Sequence, residues 1–164
     1  MSDYIYVGTI VGTHGIKGEL KVLSDEDLVD KIFKVHNNLY IGEDYKKEEI
    51  LTHRVHKNYN LVTLKGYEDI NLVNDFLKKK VFININEIEL NDKEYLLYQL
   101  LDCKIMENNK VYGNVFQVEK GKKTNYVKVK YNQEYLIPLI DEYIDSIDIK
   151  NKIIYTKNVE NLII

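Results

Sequence analysis

The chain has 164 residues, a formal net charge of −3 at pH 7 and 45% hydrophobic content, which suits one ordinary folded domain or two small ones. No apolar run approaches the roughly 20 residues of a membrane helix, and Met1–Tyr4 lacks the basic-then-apolar layout of an export signal. Neither half is basic, which argues against a protein that binds RNA mainly through phosphate contacts. We therefore expect a cytoplasmic protein that contacts no membrane and whose mildly acidic surface suits a basic protein partner.

Near the start, glycines recur between two runs of strand-type residues. They are Gly8, Gly12, Gly15 and Gly18. This spacing predicts a tight corner between two strands of a small β-barrel. A phosphate-binding loop is disfavoured, because the Gly-x-x-x-x-Gly-Lys-Ser/Thr pattern is missing and the residues after Gly18 alternate like a strand. His14 and Lys17 lie in this corner. We expect the His14 ring to hold the turn through backbone hydrogen bonds, and both residues are candidates for surface contact.

The rest of the first half alternates between short strand-like runs and turns. The predicted strands are 4–10, 19–23, 38–41, 49–56, 60–65 and 81–85. Near 70–79 the pattern changes to that of a short amphipathic helix, which we expect to plug the end of the barrel. Its apolar face would be formed by Leu72, Val73, Phe76 and Leu77.

A polar, turn-rich stretch then separates two regions. We expect a first domain over 1–86, a short linker over 87–94 and a second domain over 95–164. In the second domain the strand rhythm returns at 100–106, 111–118, 126–131, 134–137 and 153–156. The sequence therefore predicts an all-β protein built from two small barrels.

Six motifs, in this order, resemble the RimM family over essentially the whole chain. They are the glycine corner, Thr52–His56, Lys65–Asn71, Val111–Val118, Leu136–Ile140 and Ile147–Ile154. The resemblance implies a six-stranded barrel similar to a translation-factor domain, followed by a PRC-barrel. It also implies a monomeric, non-catalytic ribosome maturation factor without a cofactor. Such a protein binds the immature small ribosomal subunit through the head ribosomal protein numbered nineteen and assists head assembly and 16S rRNA processing, with a possible rRNA contact.

RimM proteins are similar to one another at the start of the second domain, where two adjacent tyrosines take part in partner binding. Here Tyr95 matches the first tyrosine, Leu96 stands in place of the second, and Tyr98 follows. The resemblance implies that this segment contacts the partner, because a tyrosine combines a large apolar ring with one hydroxyl. The alternative is that the tyrosines fill the groove between the barrels. Arg54 is a further contact candidate.

The histidines, the cysteine and the acidic residues give little support in the sequence to metal binding or catalysis. His53 and His56 are three residues apart on one predicted strand, so their rings point to opposite faces and cannot share a zinc ion. The single Cys103 is expected to be a buried structural thiol. An acidic cluster lacks the calcium-loop pattern, so we interpret it as a solvated face or as a surface for a basic partner. It consists of Asp141, Glu142, Asp145 and Asp148.

Two other hypotheses remain open. One is a PRC-barrel adaptor unrelated to ribosomes, although such a module would need only the second half of the chain. The other is a small enzyme that works through His14 and a nearby carboxylate.

Overall fold

The computed structural model describes residues 3–164 and divides into two compact units, Met1–Leu96 and Leu97–Ile164. The predicted all-β fold is confirmed. Besides strands, the described residues contain the four-residue helix α1 (Val29–Ile32) and short 3-10 turns. No helix within residues 3–164 has the length and apolar character needed to cross a membrane.

The first unit is a closed six-stranded barrel, as predicted. Its strands are β1 (Tyr4–His14), β2 (Glu19–Leu23), β3 (Asn38–Ile41), β4 (Lys46–His56), β5 (Tyr59–Leu64) and β6 (Lys80–Asn84). They follow one another around the barrel in the order β1-β2-β5-β4-β3-β6, and every pairing is antiparallel. Alternating residues of these strands fill the interior, as the two-residue strand period requires.

The glycines of the opening segment have two different structural roles. Gly8 and Gly12 lie at register shifts inside β1, where the strand bends to close the barrel. A Cβ at Gly8 would lie 2.6 Å from the Leu23 carbonyl oxygen. Gly15 and Gly18 lie in the turn after β1, both with positive φ, and a Cβ at Gly18 would meet the Tyr67 carbonyl oxygen at 2.0 Å. Gly18 therefore allows the turn to pack against the segment after β5.

Residues 70–79 differ from the expected amphipathic helix. Two 3-10 turns, Ile70–Leu72 and Asn74–Phe76, occupy this region, and Val73 between them has φ −107° and ψ 2°, outside the helical range. Val73 and Phe76 are buried in the barrel core, whereas Leu72 is 54% exposed. The segment plugs the barrel as predicted, through buried Val73 and Phe76 and half-buried Leu77, whereas Leu72 does not join this contact. The β-branched and Asn residues favour such short turns over a longer helix.

The predicted linker packs on the first barrel. Ile88 is 8% exposed and belongs to the same core cluster as Val7 and Ile83, and Leu90 packs against that cluster. A 3-10 turn over Ile85–Glu87 begins this segment, with the Asn84 side chain accepting a hydrogen bond from the Asn86 backbone N–H. The compact first unit accordingly extends to Leu96.

The second unit is a six-stranded sheet. Its strands are β7 (Lys104–Glu107), β8 (Lys110–Lys120), β9 (Asn125–Lys130), β10 (Glu134–Pro138), β11 (Ile144–Asp148) and β12 (Ile153–Thr156). Their order is β10-β9-β8-β7-β12-β11, and β7 and β12 pair in parallel through the register Ile105 to Ile154. Two 3-10 turns, Leu97–Leu100 and Val159–Leu162, lie near its ends. The buried face is apolar and includes Val115, Val129 and Ile137.

Candidate functional site

Charged and aromatic side chains from three strands meet at one end of the first barrel. We call this group the tip cluster, and it comprises His14, Glu19, Arg54 and His56. His14 ends β1 and is the register partner of Glu19 at the start of β2. Arg54 reaches from β4 and donates to both Glu19 carboxylate oxygens, from Nε at 2.9 Å and from Nη2 at 3.0 Å. The His14 and His56 ring centroids are 5.2 Å apart.

Electrostatics in the tip cluster favour an ionised Glu19. The two hydrogen bonds from Arg54 lower the pKa of Glu19 below its ordinary value; burial opposes this shift, while the charge of Arg54 and the neighbouring imidazoles add to it. Because both Glu19 carboxylate oxygens accept hydrogen bonds from Arg54, the ionised form is stabilised and Glu19 is a weaker base. The arrangement therefore supports a contact surface better than a catalytic pair.

The turn beside the tip cluster is strongly exposed. Ile16 is 75% exposed, and Lys17 next to it is also exposed. Three of the predicted contact residues, namely His14, Lys17 and Arg54, thus lie on this turn or on the neighbouring strands, although Arg54 is far from the other two in the sequence. The barrel topology, in which β5 lies between β2 and β4, accounts for their proximity.

The segment at the start of the predicted second domain has mixed burial. Tyr95 is half-buried, and burial together with nearby Asp27 and Glu26 raises the pKa of its hydroxyl. Tyr98 is half-buried in the turn Leu97–Leu100. Leu96, in contrast, is 0% exposed and belongs to the core of the first barrel. Its predicted role as a contact residue does not fit this structure, because a partner cannot reach a fully buried side chain.

The described histidines and the cysteine have structural neighbours. His53 Nε2 lies 2.9 Å from the Asn60 side-chain oxygen, and its ring centroid lies 5.3 Å from that of Phe33. His53 and His56 thus have different neighbours, as expected. Cys103 is buried, as predicted, and burial raises the pKa of its thiol, which disfavours the reactive thiolate. Within residues 3–164, no three or more His, Cys, Asp or Glu residues form a group that could hold a metal ion.

The acidic cluster of the second unit includes a turn cap. Asp148 accepts hydrogen bonds from the Asn151 side chain at 2.8 Å and from its backbone N–H at 3.0 Å, and these bonds lower the pKa of Asp148. They hold the turn between β11 and β12. Asp141, Glu142 and Asp145 are exposed, in agreement with the solvated interpretation.

Two surfaces of the molecule were not predicted from the sequence. On the second sheet, Phe116 and Leu136 are each 39% exposed on the strands that flank β9. Phe116 reaches this face at a register shift between Val115 and Gln117, so simple alternation did not mark it. The other surface is a groove beside Tyr45 in the first barrel. Its signal is the Lys78-Lys-Lys80 run, of which the first two lysines were assigned to the expected helix.

Comparisons with known proteins identify a family for this chain. The family model "RimM N-terminal domain" matches residues 5–88. A protein of Bacillus mycoides named "Ribosome maturation factor RimM" is 32% identical over 99% of this chain and 100% of its own length. A protein of the same name from Exiguobacterium is 31% identical over 92% of this chain and 91% of its own.

Two solved structures are also similar. One is described as a putative 16S ribosomal RNA processing protein RimM from Pseudomonas aeruginosa, with 22% identity, a TM-score of 0.48 and coverage of 94% of this chain and 96% of that one. The other is the N-terminal domain of RimM from Thermus thermophilus, with 17% identity, a TM-score of 0.46 and coverage of 53% and 95%. The sequence matches alone, which extend over both units, establish that the chain belongs to the RimM family.

Proposed function

We propose that this chain is a cytoplasmic ribosome maturation factor that acts, without catalysis, as an assembly chaperone of the small ribosomal subunit. The observation that carries the proposal is the 32% identity over 99% of the chain to a protein named as a ribosome maturation factor. Coverage of 100% of that relative means that both units take part in the likeness. The proposed factor is monomeric and assists head assembly and 16S rRNA processing.

The proposed protein partner is the head ribosomal protein numbered nineteen. The net charge of −3 supports this choice, because an acidic protein attracts a basic one over about a Debye length. The proposed contacts are Tyr95 and Tyr98, whose half-buried rings can supply apolar area and a hydroxyl. His14, Lys17 and Arg54 form a second proposed contact at the tip of the first barrel, and we place it close to rRNA.

Binding to purified ribosomal particles tests this function. The chain is expected to sediment with immature small subunits and to bind mature subunits more weakly, since an assembly factor must leave the finished particle. Equal affinity for both particles would contradict the chaperone mechanism. Failure of the intact chain to bind the head protein or either particle would favour the adaptor hypothesis instead.

Two tyrosine variants, one at a proposed contact and one as a control, test the proposed protein contact. Tyr95→Ala is expected to lose the head protein in a pull-down, whereas Tyr155→Ala, which removes a 38% exposed ring from the second sheet, is expected to retain it. Circular dichroism of both variants verifies that they fold. Retained binding by a folded Tyr95→Ala variant would place the contact elsewhere.

A further inference from the structure

An open groove of about 760 Å³ lies on the first barrel, between the β3–β4 turn and the start of β6. We call it the lysine–aromatic groove and define it by Tyr45, Phe82, Lys78, Lys79 and Lys80, which line it together with the turn residues. It is distinct from the tip cluster, with which it shares no residue. All of its lining residues belong to the first unit.

The aromatic part of the groove is an ordered set of rings. Tyr45 stacks on Tyr4 with ring centroids 4.4 Å apart and an interplanar angle of 12°. Phe82 meets Tyr45 edge-on, at 4.9 Å and 69°. Tyr45 nevertheless remains 38% exposed. The neighbouring rings thus hold a partly exposed tyrosine in a defined orientation, which lowers the entropy lost when a flat ligand stacks on it.

The basic part is a run of three exposed lysines. Lys78, Lys79 and Lys80 are all exposed, and none of them takes part in the ion pairs recorded among residues 3–164. The Lys80 ammonium lies 5.9 Å from the centre of the Tyr6 ring, close to the aromatic set. Three lysine charges therefore lie next to a stacking platform.

Carboxylates also line the groove and limit what it can bind. Glu43 and Asp44 lie in the β3–β4 turn at its edge and are exposed. They offset part of the lysine charge, so an acidic ligand that relies on charge alone would bind weakly. A ligand that adds ring stacking to its negative charge suits both parts of the lining. Single-stranded nucleic acid has this chemistry, because its bases offer open π-faces and its phosphates are anionic.

We propose that the lysine–aromatic groove binds a segment of single-stranded RNA, with one base stacked on Tyr45 and the adjoining phosphates held by Lys78, Lys79 and Lys80. Duplex RNA is disfavoured, because its base faces are stacked on one another and cannot reach a tyrosine. The identity of the RNA as ribosomal rests on the proposed function, but the binding chemistry does not. The groove is a local RNA contact on a protein whose net charge is −3, so the rest of its surface is not expected to bind RNA.

The test uses fluorescence anisotropy of a labelled oligouridylate of about ten nucleotides, a length within the usual site size. Tyr45→Ala in the full chain is expected to weaken binding about tenfold, as for the loss of one stacked base, while Tyr45→Phe retains it. Tyr155→Ala is the matched control, because both tyrosines are 38% exposed. It is expected to leave binding unchanged.

The lysines are tested by the salt dependence of the same binding. Three phosphate contacts predict a slope of about −2 in a plot of log affinity against log salt concentration. Replacing Lys78, Lys79 and Lys80 by Gln is expected to bring the slope close to zero. The same replacement at Lys120, Lys122 and Lys123, which are exposed on the second unit, is expected to preserve it.

The proposal is overturned if the intact chain fails to bind the oligonucleotide at low salt, or if folded Tyr45→Ala binds as tightly as the intact chain. It is also overturned if a polyglutamate peptide of equal charge competes as well as the RNA. Subunit binding separates the two proposals. If the chain binds the RNA but not immature subunits, the groove proposal is supported and the proposed function is contradicted. If it binds immature subunits but not the RNA, the proposed function is supported and the groove proposal is contradicted.

Discussion

The two units contain aromatic clusters of opposite character. In the second unit, the Tyr135 hydroxyl donates to the Tyr112 carbonyl oxygen at 2.7 Å, and the Tyr112 hydroxyl donates to Glu160 at 2.8 Å. Both tyrosines are 6% exposed. In the first unit, Tyr45 is held by ring contacts and keeps 38% of its surface exposed. Tyrosines whose hydroxyls are satisfied inside the protein stabilise the fold, whereas an exposed, oriented ring remains available to a ligand.

The largest expected loss of stability comes from a backbone position beside the buried cluster of Tyr112 and Tyr135. Gly113 follows Tyr112, has φ +109°, and a Cβ there would lie 2.3 Å from the Lys130 carbonyl oxygen. Gly113→Ala is therefore expected to destabilise the protein by about 3 kcal/mol or more, combining backbone strain with a steric clash. Urea denaturation followed by circular dichroism measures the loss.

Gly66→Ala is the control for that prediction. Gly66 also has a positive φ, +89°, but nothing lies within 4 Å of a Cβ built there. Only the conformational cost remains, so a loss of about 1 kcal/mol is expected. Equal losses for the two variants would show that the clash with Lys130 is relieved by local movement.

The second prediction removes one hydroxyl from each cluster. Tyr135→Phe leaves the ring in place but takes the donor from the buried Tyr112 carbonyl, and a loss of about 1–2 kcal/mol is expected. Tyr45→Phe is expected to change the unfolding free energy by less than about 0.5 kcal/mol, because its ring contacts remain. A thermal or urea unfolding curve for each variant provides the comparison. Similar losses would remove the distinction between the two clusters.

The strand periodicity explains which parts of the fold were predictable. β2 and β3 match their predicted bounds, because short turns delimit each alternating run. β1 continues to His14, beyond the predicted end at residue 10, because a register shift lets the strand bend through Gly12. The helix near 70–79 was not predictable as two turns, since the apolar spacing is the same and the break at Val73 depends on packing in the barrel.

The candidate sites were less predictable, because they depend on which strands become neighbours. Periodicity places Glu19 and Arg54 on strands, but their ion pair requires the non-sequential order β2-β5-β4. The burial of Leu96 likewise follows from the segment after β6 folding back on the first barrel. Among many tyrosines, only the tertiary contacts distinguish Tyr112 from Tyr45.

The third prediction concerns the exposed ion pair of the tip cluster. Arg54→Ala and Glu19→Ala, analysed as a double-mutant cycle, are expected to show a coupling well below the effect of Tyr135→Phe, because Arg54 is 53% exposed and solvent screens the pair. The pKa of Glu19 is lowered in the folded protein, so this coupling is present above the ordinary carboxyl pKa. It is lost as pH falls through the lowered pKa. A coupling that persists in acid would assign it to packing instead of charge.

The smallest change in stability at neutral pH is expected from Glu160→Gln. This variant tests the negative charge that accepts the Tyr112 hydrogen bond. The hydrogen bond to Glu160, followed by burial, raises the pKa of Tyr112 from 10.0 to about 12. Because the folded protein favours the neutral phenol, the resulting stability is present below pH 10.0 and is lost as pH rises through about 12. Glu160→Gln removes the negative charge and is expected to bring the Tyr112 pKa back toward its ordinary value.

The Tyr112 ring resonance, assigned by NMR with Tyr112→Phe, reports the shift. Glu142→Gln makes the same charge change at an exposed position and should leave the Tyr112 titration unmoved, so an equal shift in both variants would mean that net charge, and not the contact with Glu160, sets the pKa.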